Sequence, residues 1–419
     1  MYHNQVKSLP HSFLFGAATA AHQVEGGNTN SWTVWEETNA ERLARESGPE
    51  TKYGQEPTPV WDDVKTAVKS KENYISGNGV DFYHRYKEDL AEAQKLGLGA
   101  FRFSVEWSRV ERVKGKYDQA AISHYLEVVL ACRELGLEPF VTLWHFTLPV
   151  WAEQLGGWTS DEVVQRFAEY AERMGEALRR HVTFIATLNE PEVYAMLGYM
   201  LGVWPPALMS PTRFARVRRG LVRAHRAAYA TLKRVDAGFE VGFCTSQSWL
   251  EPSHTLLRPF KEAAQRKTTE YFTERLHRTS DWIGMQYYMK VTFKTDTSAQ
   301  RSDLGWALHP EGHAVVLKRL GRYGKPLYVT ESGLADAADT YRAWYIEESL
   351  TSIAKAVADG VDCRGYFYWS LLDNFEWHEG YWPKFGLLEV DRTTMERRLR
   401  PSAKHYATLI RAYRSGKLV

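Results

Sequence analysis

A chain of 419 residues with 53 basic and 51 acidic side chains, net charge +2, has no overall field to hold nucleic acid or an anionic membrane. Its 44% hydrophobic and 13% aromatic content is ample for a large core. No run approaches the roughly 18 apolar residues that a membrane span requires.

In chain order, strand-like apolar runs fall at 13–17, 100–104, 139–143, 184–188, 240–245, 282–287, 327–330 and 365–369, eight in all. Amphipathic helical stretches alternate with them, among them 81–96, 119–135, 161–180, 212–235 and 341–358. Strands alternating with helices predict parallel pairing through right-handed crossovers, and eight such units close into a (β/α)8 TIM barrel of α/β class. Length alone suggests more than one domain, but such barrels routinely exceed about 250 residues as one unit, so residues 1–419 read as a single barrel domain. The polar stretch 35–79 reads as an insertion after the first strand, either loop and short helices shaping the barrel mouth or a mobile flap.

Near the start, Lys7 and the run 13–21 imitate a secretory leader, but Pro10, His11 and Ser12 interrupt it. Cys132, Cys244 and Cys363 are odd in number, far apart and set in apolar contexts, so buried free thiols are expected. Both observations point to a cytoplasmic protein. The basic cluster of Arg213, Arg216, Arg218, Arg219, Arg223 and Arg226 is interleaved with apolar residues at helical spacing and reads as a solvated helix face.

Two strings carry the chemistry. Thr187-Leu188-Asn189-Glu190-Pro191 and Val329-Thr330-Glu331-Ser332-Gly333 each deliver a carboxylate directly after a strand-like run. In a barrel of this type, functional groups belong at the C-terminal ends of strands, here the fourth and the seventh. One glutamate so placed is ordinarily a solvated loop residue. A pair suits glycoside hydrolysis, in which one carboxylic acid protonates the departing oxygen and a second carboxylate attacks or stabilises the sugar carbon. Arg102, between Phe101 and Phe103 on the second strand, points inward, where an unpaired guanidinium is costly; it reads as the partner of a carboxylate or as part of a purely structural ion pair.

The surrounding motifs resemble those of glycoside hydrolase family 1, the β-glucosidases and β-glycosidases. Phe13-Leu14-Phe15-Gly16-Ala17-Ala18-Thr19 with Gln23 and Glu25-Gly26, Leu143-Trp144-His145, Asn189-Glu190-Pro191, Thr330-Glu331 and 368–377 follow one another in the family's order. The resemblance implies a retaining, exo-acting β-glycosidase, foremost a β-glucosidase with β-galactosidase or β-fucosidase side activity. Glu190 matches the general acid/base and Glu331 the nucleophile. Tyr288 matches a residue that bonds the nucleophile, and Asn189 one that donates to the sugar 2-hydroxyl. Gln23, His145, Trp369, Glu376, Trp377 and Phe385 match the sugar-binding set.

The expected partners are small β-glycosides or short oligosaccharides, with a homo-oligomer left open. Glu376, as an anion, is expected to repel a 6-phosphate. No cofactor is expected, and no metal, since His145 has no second ligand at metal spacing and taken alone reads as structural. Phe146-Thr147, Gln286 and Ser332 depart from the family pattern and bear on fine substrate preference. A non-catalytic sugar-binding barrel, a transglycosylating member of the family and a metal-dependent sugar isomerase are the alternatives.

Overall fold

The computed structural model describes residues 9–49, 57–251, 265–292 and 299–415. Its centre is a closed barrel of eight parallel strands: β1 (Leu14–Ala18), β2 (Ala100–Ser104), β3 (Glu138–Thr142), β4 (Phe184–Asn189), β5 (Glu240–Ser246), β6 (Trp282–Gln286), β7 (Leu327–Ser332) and β8 (Cys363–Trp369). Neighbours in sequence pair in parallel, with register shifts between β4 and β5, β6 and β7, and β7 and β8, and β1 closes the ring on β8 with Leu14 opposite Gly365 and Ala18 opposite Trp369. All eight predicted strands are present, with ends displaced by at most two residues; β4, β5 and β7 run on past their apolar stretches through Asn189, Ser246, and Glu331 with Ser332.

The barrel interior is filled by large aromatic rings set against glycines. Phe140 stacks on Phe184 at 4.2 Å and meets Tyr328 at 5.2 Å and Phe367 at 4.7 Å. A Cβ on Gly16 would meet the Phe367 ring at 2.6 Å, and one on Gly242 the Trp282 ring at 2.5 Å. Strand alternation sends Phe101 and Phe103 outward to the helices, and the intervening Arg102 inward. An aromatic floor therefore lies beneath a polar upper rung, which is the side from which the βα loops leave.

The outer helices follow their patterns. Asp161–Leu178 buries Val163, Phe167, Tyr170, Ala171, Met174 and Leu178 on one stripe and carries Asp161 and Glu162 in its first turn. Gln119–Glu134 is capped by Asp118, whose carboxylate accepts from Ala120 N at 2.9 Å and Ala121 N at 3.2 Å. The arginine-rich helix Pro211–Val235 buries Val217, Leu221, Ala224 and Ala228, while Arg223 pairs outward with Asp161.

The stretch after β1 holds a longer helix than expected, Ser31–Glu46, which begins before residue 35; Asn30 and Thr33 form its capping box. Helix Trp61–Val68 and a 3-10 turn at Lys71–Tyr74 follow, with 50–56 outside the described residues. Asn73 joins this stretch to the loop beyond β8, donating to Glu379 O at 2.8 Å and accepting from Tyr381 N at 2.9 Å. Cys132, Cys244 and Cys363 are buried and free. Among the described residues, no helix is long and apolar enough to cross a membrane.

Candidate active site

Glu190 leaves the barrel at the end of β4 in a left-handed conformation, φ 40° and ψ 57°, uncommon for a residue with a side chain. Its N–H is held by Cys244 O on β5 at 2.9 Å, and Pro191, which has no N–H to satisfy, starts the next short helix. The turn is thus bracketed on both sides. Glu331 lies within β7, one residue before the strand ends, and is 4% exposed; Glu190 is 8% exposed.

Arg102 joins three strands across the upper rung. Its Nη1 donates to Glu331 Oε1 at 2.5 Å, Nη2 to Asn189 Oδ1 at 2.6 Å and Nε to Thr142 Oγ1 at 3.1 Å. The other Glu331 oxygen accepts from Tyr288 Oη at 2.8 Å. Gln286 Nε2 donates to Asn189 Oδ1 at 2.8 Å, so two donors converge on that oxygen and turn the Asn189 amide nitrogen toward His145 Nε2, 3.1 Å away. Asn189 and Arg102 are buried, and Asn189 Nδ2 faces His145 with one of its two hydrogens, which leaves the second for the expected 2-hydroxyl contact.

Glu190, Glu331, Tyr288, Gln23, His145, Trp369, Glu376, Trp377 and Phe385 line one cavity of about 700 Å³. His145 lies between Trp369 and Trp377, roughly parallel to both, with ring centroids 6.0 Å from each. Gln23 Nε2 is fastened to Asn374 Oδ1 at 2.9 Å and Phe375 O at 2.8 Å, leaving its buried Oε1 without a protein partner. Burial, with Arg102 and His22 adding repulsion, holds His145 well below the usual histidine range and therefore neutral.

Burial raises both central carboxyls above their usual range, but the charges around them differ. For Glu331 it is opposed by the Arg102 guanidinium and the Tyr288 hydroxyl. For Glu190 it is reinforced by the charges of Glu331 and Glu192, which drive it well above the ordinary value. The arrangement pushes the two protonation equilibria apart, with Glu190 the group that keeps its proton. Burial, then Glu331 and Glu379, push Glu376 up to about 8, so its negative charge is weaker near neutral pH than that of an ordinary carboxylate.

Several features of the site were not anticipated from the motifs. Val193, Leu197 and Leu201 line the cavity at four-residue spacing after Glu190, a periodicity present in the sequence. Trp306 lies 5.9 Å from Tyr288 and 6.2 Å from Phe385, brought there by a loop with no local signature. Behind Trp377, His22 stacks on that ring at 5.6 Å and bonds Glu36 through Nε2 at 2.7 Å. Glu36 also accepts from Ser76 N at 2.9 Å and Ser76 Oγ at 2.7 Å. The stretch after β1 is thereby joined to the loop beyond β8 that carries Trp377.

The sequence profile of glycosyl hydrolase family 1 matches residues 5–278 and 261–414. Beta-glucosidase A of Thermotoga maritima is 29% identical over 97% of this chain and 98% of its own length. A beta-galactosidase of Sulfolobus acidocaldarius is 28% identical over 97% of this chain and 95% of its own. Among solved structures, a beta-glycosidase from Pyrococcus horikoshii superimposes with a TM-score of 0.83 at 32% identity, covering 98% of this chain and 96% of the other. The beta-glucosidase from Thermotoga maritima in complex with noeuromycin gives 0.81 at 27% identity, covering 97% of this chain and 99% of the other. With the fold, the paired carboxylates and the likeness along nearly its whole length in agreement, this chain belongs to glycosyl hydrolase family 1 and is a glycoside hydrolase.

Proposed function

We propose that the chain is a retaining, exo-acting β-glycosidase, foremost a β-glucosidase with β-galactosidase and β-fucosidase side activity, acting on unphosphorylated terminal β-glycosides. The observation that carries this reading is the unequal pair of buried glutamates. Glu331, bonded to Arg102 and Tyr288, is the nucleophile. Glu190, raised by burial and by its acidic neighbours, is the acid. In the first step Glu331 attacks the anomeric carbon while Glu190 gives its proton to the glycosidic oxygen, and the aglycone leaves as an alcohol. In the second, Glu190, now a carboxylate, takes a proton from water, which displaces Glu331 and restores both groups.

Gln23, His145, Trp369, Glu376, Trp377 and Phe385 hold the sugar, the tryptophans offering flat apolar faces and the others hydrogen-bonding edges. Asn189 and Arg102 orient His145 and Glu331. Relatives named beta-glucosidase and beta-galactosidase support acceptance of both equatorial and axial 4-hydroxyls. We extend the proposal to one catalytic domain over 1–419, working in the cytoplasm.

The test is stereochemical. Proton NMR of a β-glucoside digest should show the β-anomer of glucose first. With azide, Glu190→Ala should yield β-glucosyl azide and Glu331→Ala the α-azide. The α-anomer appearing first would overturn the retaining reading, and exchanged azide products would swap the two roles.

A further inference from the structure

Phe146, which with Thr147 departs from the family pattern, has φ 73°, in the left-handed region that a residue with a side chain occupies at a cost and that is retained most often at functional sites. Its ring lines the cavity, 5.1 Å from Trp377 and 4.9 Å from Trp204, and the residue before it is His145. On one side Trp144 O accepts from Asn189 N at 2.9 Å; on the other, Ser31 N donates to Leu148 O at 2.8 Å and Leu148 N to Ser31 Oγ at 3.0 Å. Between those anchors the backbone of 145–147 makes no hydrogen bond among the described residues. Beyond the His145 ring, the polar tie on this turn is the buried Thr147 Oγ1, which donates across the Glu106 carboxylate, 2.9 Å from Oε2 and 3.1 Å from Oε1.

Glu106 is itself buried, and its bonds come from neutral donors: Thr147 Oγ1, Ser108 Oγ at 2.7 Å and Ser108 N at 3.4 Å. The nearby guanidinium of Arg109 is bonded to Glu25 instead, at 2.8 Å. A buried carboxylate held in this way loses much when one donor is removed. Through its backbone Glu106 reaches a second segment, its N–H donating to Tyr125 Oη at 3.1 Å, and Tyr125 donates in turn to Glu25 Oε1 at 2.9 Å, two residues past Gln23. Glu106 thus stands between the segment that carries Gln23 and the turn that carries His145 and Phe146, and it lies outside the cavity lining.

We propose that Glu106 is a positioning residue of the sugar site: through Thr147 it holds the strained turn that presents His145 and Phe146 to the sugar. The inference rests on the β-glycosidase reading. Thr147→Val keeps the shape and removes the donor, so it should raise KM for 4-nitrophenyl β-glucoside and Ki for methyl 1-thio-β-glucoside about tenfold, with kcat changed less than about threefold. Thr147→Ser keeps the hydroxyl and should stay within about twofold of the parent. Thr147→Asp sets two buried carboxylates face to face and should cost about 100-fold or more in kcat/KM; Glu106→Gln added to it offers the new carboxylate an amide and should recover at least about tenfold. If Thr147→Asp does not fold, the return of a folded, active protein in the double variant is the same outcome. As a control for stability alone, Ile410→Ala, buried in the helix Pro401–Arg414 and outside the cavity lining, should lower the melting temperature and leave Ki unmoved. An unmoved Ki in Thr147→Val, a Thr147→Ser as poor as Thr147→Val, a double variant no better than Thr147→Asp, or a Ki that follows stability in Ile410→Ala would overturn the inference while the glycosidase reading stands. Absence of turnover by the unaltered protein even with 2,4-dinitrophenyl β-glucoside would remove that reading, and this inference with it.

Discussion

Replacing Arg102 with Met tests the electrostatic core of the site, because the side-chain volume is similar and only the fork of donors is lost. In the protein that fork touches Glu331, Asn189 and Thr142. Its removal leaves Glu331 buried with only the neutral donors Tyr288 and Gln286 beside it. Leaving one member of a buried ion pair uncompensated costs about 3 to 5 kcal/mol, which corresponds to a rise of roughly two to four pKa units if Glu331 relieves it by taking up a proton.

The sign is fixed by which form reacts. Attack requires ionised Glu331, so activity grows as pH rises through its pKa, and raising that pKa moves the acid limb of the profile upward. On that limb kcat/KM should fall about 100- to 10,000-fold, with part of the loss recovered toward alkaline pH. The assay is the pH profile for 2,4-dinitrophenyl β-glucoside, whose leaving group needs no proton from Glu190 in the glycosylation step. Stability should move in parallel. A carboxyl whose folded pKa lies above its unfolded value costs nothing below the unfolded value and progressively more as pH rises toward the folded one. The melting deficit of the variant should therefore be larger at pH 7 than at pH 5. An acid limb that stays in place, or an activity loss equal at every pH, would refute the assignment of Arg102 as the group that keeps Glu331 ionised.

Glu376, raised to about 8 in the sugar-free protein, should become a stronger acceptor as it ionises, so the Ki of methyl 1-thio-β-glucoside should tighten between pH 6 and 9. Glu376→Gln should abolish that trend and weaken binding about tenfold or more at pH 9, whereas parallel curves for the two proteins would count against it. Glu36→Gln places an amide where three donor contacts now converge, so it should cost about 1 to 3 kcal/mol of stability by thermal denaturation. Through the His22 and Trp377 stack it should raise KM more than it lowers kcat, and an unchanged KM would disconnect Glu36 from the sugar site.

Much of this protein is legible in its sequence because the determining signals are local. A strand announces itself through five or six apolar and β-branched residues, and all eight runs became barrel strands. Glu190 and Glu331 were found because each follows such a run, and the motifs around them carry the family. Even the inward direction of Arg102 follows from its two phenylalanine neighbours, since alternation along a strand is a local rule.

The helix Ser31–Glu46 was less visible, because its anchoring partners, Ser76 and His22, lie on other segments. Tertiary structure alone decided the rest. The meeting of Arg102 with Asn189 and Glu331 spans 87 and 229 residues of chain and exists only once the barrel has closed. The raised pKa of Glu376 is invisible in the sequence for the same reason: a carboxyl's charge is set by how much water its neighbours remove and which charges remain nearby, and no neighbouring residue type encodes that sum. The cavity wall likewise joins side chains following β4 with others following β6, and their common face is created by the closed barrel that holds those strand ends together.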